Sequence, residues 1–302
     1  MKVIGAYAVA MGLSADQISA STLLVALILA IVGASGAVDW IGRHTPKAVI
    51  RGVQLSTGVL LMAQGVRLML GTTRLQELQQ LAEPYLRSQE IGFLPVGPVI
   101  GVCGVLLTFF LLDNRRVPAA LAVILSGMAV GIVFGTHGGW SEFRLELSLP
   151  VVMPHGFPGG ADLSFALLVL VLPQLPMTLG NAVIADADLS REYFGEASRR
   201  VTHRNLCLSM ACGNLLSFVL GGMPMCHGAG GLAAHFRFGA RTAGSNLMIG
   251  FLFVLLVLLC GPHLLANLYM LPQAVMGVLL HFACSHLSLT LLDIDNLSDL
   301  FT

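Results

Sequence analysis

Charged side chains are scarce in this chain: Asp, Glu, Lys and Arg make up 11% of 302 residues, sixteen of each sign, and the net charge is zero. That balance excludes the basic stripe a nucleic-acid site needs and the acidic run of a solvating tail. G-x-S-x-G, H-E-x-x-H and P-loop motifs are missing, so covalent catalysis, zinc hydrolysis and ATP coupling have no candidate residues and no enzyme is expected. The six cysteines (103, 207, 212, 226, 260, 284) show neither CxxC nor zinc-ligand spacing. This argues against a disulfide framework and for small buried hydrophobes. No cofactor or metal is expected.

Apolar residues, by contrast, make up 56% of the chain, and the mean hydropathy is +0.83. Those values place it among all-α polytopic membrane proteins. Charge-free blocks run over 17–38, 52–66, 91–112, 117–141, 163–185, 205–236 and 242–292. They suit helices of about 20 residues rather than the roughly 10-residue strands of a membrane barrel. Complete spans are predicted at 18–38, 52–71, 92–112, 117–136, 163–185, 205–220, 245–262 and 265–283, with a half-helix at 229–238. If the spans alternate, one side collects Lys and Arg at 43, 47, 51, 115, 116, 191, 199, 200, 204, 237 and 241, and the other only 74, 87 and 144. The rich side is the cytoplasmic one.

The connections carry their own expectations. Residues 1–15 read either as a signal peptide ending at Ala8-Val9-Ala10 or as the second half of an interrupted helix. Arg67 reads as a side chain snorkelling to the interface, with an anion partner as the alternative. Residues 72–90 suggest a polar connection with a short surface helix, and the alternation over 143–149 suggests a strand on a surface. His137 and His155 are expected in solvent. The segment 186–204 reads as a charged, solvated connection with a short helix, with Asp186 and Asp188 in a helix-terminal loop rather than as metal ligands.

Two stretches break the pattern of ordinary spans. In Pro173-Gln-Leu-Pro-Met-Thr-Leu-Gly-Asn181, two prolines and a glycine sit mid-span, and Gln174, Thr178 and Asn181 are spaced to share one helical face. In Pro224-Met-Cys-His-Gly-Ala-Gly-Gly-Leu-Ala-Ala-His-Phe-Arg237, Pro224 breaks a helix, the glycines permit a tight turn and a new helix can start near residue 229. The first N–H groups of that helix would hold an oxyanion without a formal charge. Gly228 to Ala233 fit G-x-G-x-x-A, but no βαβ unit surrounds them. A soft-metal site at Cys226 and His227 would need Cys207, Cys212 or His235 as further ligands and is set aside. Two discontinuous helices in corresponding positions point to a secondary carrier of anions.

The stretches 173–185 and 224–242 resemble the two signature motifs in the second half of the molybdate transporters related to sulfate permeases. The resemblance implies two inverted seven-helix repeats, a core and a gate domain, and an oxyanion held between half-helices of spans three and ten. Of these, about nine spans and a half-span are present. On that map, 1–136 is the remainder of the first repeat, from half of span three to span seven. Residues 137–161 are an external connection, and 162–302 hold spans eight to twelve of the second repeat. Spans one and two, with the acidic motif, and thirteen and fourteen are then absent, as in a truncated chain.

Carried over by motif, the substrate ligands are Gln174, Thr178, Asn181, His227, Gly228, Ala229 and Gly230, with Lys2 as a remnant of span three. The expected function is alternating-access transport of molybdate or a similar tetrahedral oxyanion across the cell membrane, with the lipid bilayer as surroundings. Sulfate transport and a truncated, non-transporting relative remain as alternatives, and coupling protons and a homodimer stay open.

Overall fold

A computed structural model of the chain describes residues 4–5, 12–84, 86–111, 117, 119–134, 145–264 and 271–289. Among the described residues, four helical stretches are long and apolar enough to cross a membrane: Ala15–Ser35, Lys47–Leu70, Gly160–Ser198 and Ala243–Cys260. The protein is a multi-pass membrane protein. The chain divides into two compact units that each draw on both of its halves. The first unit comprises Met1–Ser56, Pro150–Leu232 and Thr290–Thr302; the second comprises Thr57–Leu149 and Ala233–Leu289.

In the first unit, α1 (Ala15–Ser35) starts at a capping box in which Ser14 and Gln17 satisfy each other's backbone N–H groups. After α2 (Ala37–His44), α3 (Lys47–Leu70) begins in this unit and continues into the other. Next comes one unbroken helical run: α7 (Gly160–Phe165), π-helical Ala166–Val171, α8 (Leu172–Met177), π-helical Thr178–Ile184 and α9 (Ala185–Phe194). α10 (His203–Val219) lies along α1, and α11 (Ala229–Arg237) follows an extended stretch. The core joins Val25 and Leu29 of α1 to Leu170, Val171, Val183, Cys207 and Met210. Close approach at Gly33 allows this, since a Cβ there would stand 3.0 Å from the Cys207 Cβ.

The second unit takes the rest of α3, α4 (Arg74–Gln79), the short hairpin β1 (Glu90–Ile91) and β2 (Leu94–Pro95), α5 (Val96–Leu111), α6 (Ala119–Phe134), α12 (Ala243–Cys260) and α13 (Gln273–Leu289). Its core is Leu86, Val96, Ile100, Val123, Val275, Val278 and Phe282. The last described helix begins at 273, because Pro272 cannot continue a helix through its own position and instead precedes the first turn; the expected start of that span at 265 lies outside the described residues.

The polar connection 72–84 does more than lie on a surface. Buried Gln76 donates from Nε2 to Leu68 O and Ala82 O. Fully buried Glu83 accepts from the Gln273 and Ala274 N–H groups, at 2.8 and 2.7 Å, and so caps α13. Burial pushes the Glu83 carboxyl up to about 7, against the pull of those two donors. A raised carboxyl binds its proton more tightly folded than unfolded, so its stabilising share is full below the ordinary value of 4.5 and is lost as pH rises through about 7. The thermal midpoint of the detergent-solubilised protein is therefore expected to fall as pH rises across that window, and Glu83→Gln to flatten the fall. An equally steep decline in the variant would remove Glu83 as its source.

Candidate functional site

Two of the sequence expectations change where the chain is most polar. The proline-bearing span is not broken. Pro173 and Pro176 donate no N–H, and their rings crowd the carbonyl one turn back, yet the helix absorbs both by winding wider on either side. Leu172 N–H reaches Leu167 O and Ala185 N–H reaches Gly180 O, each five residues back. The helix also runs without a break through Asp186 and Asp188 to Phe194, where a solvated connection holding a separate short helix is expected. Arg51, only 3% exposed, explains this: its Nη1 lies 2.9 Å from Asp188 Oδ2 and 3.2 Å from Glu192 Oε2, and it donates to Gln54 Oε1. Gln54 in turn donates to Ala185 O. A cation expected in a cytoplasmic loop instead neutralises the helix that follows the site.

The second stretch breaks as expected. Residues 222–228 form no helix or strand, Pro224 is buried, and α11 starts at Ala229. Gly228 O accepts from Gly231 N (2.8 Å) and Leu232 N (3.1 Å), so Gly228 is the N-cap, and the N–H groups of Ala229 and Gly230 have no intrahelical acceptor.

Side chains from α1 and α10 hold this extended segment, and sequence reasoning missed them. Asn214, fully buried on α10, donates from Nδ2 to Met225 O (2.8 Å) and accepts the Met225 N–H at Oδ1 (2.9 Å). Ser217 Oγ donates to Met223 O, and Thr22 Oγ1 to Gly222 O. The signal was an amide in the middle of an apolar span, where polar side chains have a partner or a function.

The candidate ligands fall into three groups. Gln174 and Thr178, each 2% exposed, bond to one another: Gln174 Nε2 donates to Thr178 Oγ1, which donates to Gln174 O, both at 3.0 Å. Asn181, 6% exposed, stands against the helix start, its Nδ2 being 3.7 Å from where a Cβ on Gly228 would lie. His227 turns to the exposed side, with Nε2 2.8 Å from Ser209 Oγ. Ala229 and Gly230 form the first turn of α11, and Lys2 lies outside the described residues. The arrangement offers a helix N-terminus, one amide and no formal charge among its described side chains. A helix N-terminus beside a neutral amide can take a small anion.

Comparison with known proteins bears on both stretches. Residues 166–287 match the family model described as "Molybdate transporter of MFS superfamily". "Molybdate transporter 1" of Chlamydomonas reinhardtii is 39% identical over 169 residues, which cover 55% of this chain and 32% of that protein. The chain thus spans about a third of that relative's length. "Molybdate transporter 2" of Arabidopsis thaliana is 27% identical over 336 aligned positions, 100% of this chain and 69% of that one. The fold is similar to the transmembrane domain of a cyanobacterium bicarbonate transporter, BicA, with TM-score 0.63, 18% identity, and coverage of 99% of this chain and 75% of that one.

Proposed function

We propose that the chain belongs to the molybdate transporter family and carries molybdate, or a similar tetrahedral oxyanion, across the cell membrane by alternating access. One observation carries the reading: inside a multi-pass membrane fold, the Asn181 amide faces the N-cap of a helix that follows a non-helical segment. Irregular backbone at membrane depth is tolerated where it lines a protein-walled or water-filled cavity, and half-helix N-termini suit anions. The family match supports the reading because it covers both polar stretches. Relatives named for molybdate weigh against sulfate as the main substrate.

In this proposal the anion rests among Gln174, Thr178, Asn181 and the first turn of α11. The first unit acts as the core that holds it and the second as the gate, with 1–136 as the remainder of the first inverted repeat and 162–302 as part of the second. The test is uptake of labelled molybdate into transporter-deficient cells expressing the chain. Saturable uptake is expected, suppressed by unlabelled molybdate and much less by sulfate. No uptake despite normal membrane insertion would overturn the reading, and equal suppression by sulfate would replace its substrate.

A further inference from the structure

Of the three polar side chains at this site, two are committed to each other. Gln174 and Thr178 close an intrahelical pair, and the Thr178 hydroxyl proton goes to Gln174 O. Asn181 is different. Its Oδ1 is buried and accepts no hydrogen bond among the described residues, and no hydrogen bond from its Nδ2 is seen among them. Turning the amide over exchanges the two atoms without changing the result, since one acceptor and one double donor still lack partners. A buried carbonyl left unsatisfied costs about 1–3 kcal/mol, so its presence beside a helix N-terminus says something about what binds there.

A fully ionised tetrahedral oxyanion has only acceptors. It can use the Asn181 Nδ2 and the N–H groups of Ala229 and Gly230, but it repels a carbonyl oxygen. A protonated oxyanion has both kinds of group. Resting on the transport reading above, we propose that the site takes the oxyanion in its singly protonated form, with Asn181 Oδ1 accepting from the substrate's hydroxyl and Nδ2 donating to a bare oxygen. The charge of the surroundings points the same way. The N-terminus of α11 supplies roughly half a positive charge, which suits a monoanion better than a dianion whose desolvation is far costlier. The balance is simple: the dianion takes one proton from water before it binds, and that proton crosses with it. Each anion then brings one proton, and external acid favours uptake.

Other titratable groups lie on the elements packed against this helical run, or along it, and must be separated from the amide. They are His227 and Cys226 on the extended segment, His203 and Cys207 on α10, Arg51 on α3, and Asp186, Asp188 and Glu192 along its own helical run. The experiment uses the whole chain in liposomes with labelled molybdate at micromolar concentration and a pH-sensitive dye inside. As external pH falls by one unit, KM for total molybdate is expected to fall about tenfold, with one proton entering per anion. Asn181→Leu should raise KM and lose the slope, and His227→Gln should keep it. Measurable uptake with a pH-independent KM and no proton entry would overturn the inference while leaving the transport reading intact. A slope that survives in Asn181→Leu, or disappears in His227→Gln, would also overturn it. Absence of uptake at every pH would overturn the transport reading beneath it.

Discussion

Asn214→Leu is expected to abolish molybdate uptake while leaving the protein in the membrane. Leucine is close to asparagine in size and suits an apolar helix, so α10 should keep its packing against α1. What disappears is the pair of bonds to Met225, at 2.8 and 2.9 Å, that fixes the extended segment through both backbone polar groups of one residue. The Met225 N–H and C=O would then be short of partners at about 1–3 kcal/mol each. At 1.36 kcal/mol per factor of ten, a loss of about 3 kcal/mol lowers the population of the ordered segment roughly 100-fold. The start of α11 loses its position with it, because Gly228 is only three residues on. Asn214→Asp keeps the acceptor for Met225 N–H and loses the donor to Met225 O, so an intermediate rate is expected. Uptake is to be normalised to the amount of protein in the membrane. A wild-type rate in Asn214→Leu would show that the clamp does not hold the site.

Much of the helical framework was legible because apolar block length constrains a membrane chain strongly. The start of α11 at Ala229 followed from Pro224 and the glycines, whose backbone effects are local. What stayed hidden depends on partners far away in sequence. Asp186, Asp188 and Glu192 look like a solvated connection until Arg51 is placed beside them. Glu83 looks like an ordinary surface carboxylate until Pro272 brings the first turn of α13 onto it. The wide winding around Pro173 and Pro176 was hidden for another reason: a proline announces that a bond is lost, but not whether the helix breaks or rewinds. The same ambiguity affects the site, since a wider turn shifts the angle between Thr178 and Asn181 from the one that α-helical spacing implies. Asn181 ends beside Gly228, whereas Thr178 bonds back to Gln174.

The second large effect is expected in the second unit, at Gly277. In the second unit, α3 and α13 touch through their backbones: a Cβ on Gly277 would lie 2.5 Å from Gly65 O, and one on Gly65 would lie 2.7 Å from Gly277 O. Neither neighbour is a flexible side-chain tip that could turn away. Leu68 Cβ and Met69 Cγ, each 3.0 Å from the Gly277 position, close the remaining space. In a membrane, water does not drive helices together, so close backbone approach supplies much of their association. Gly277→Ala should cost about 1–3 kcal/mol through overpacking, and Gly277→Val should force the two helices apart. Gly250, on α12, has nothing within 4 Å of its would-be Cβ, so Gly250→Ala is the control. That change should be neutral or slightly stabilising, since alanine favours a helix over glycine by about 1 kcal/mol. The measurement is the thermal midpoint and monodisperse yield in detergent. A steep loss across Gly250→Ala, Gly277→Ala and Gly277→Val, in that order, is the expected result. An unchanged midpoint and yield in Gly277→Val would mean that the α3–α13 contact does not hold the second unit together.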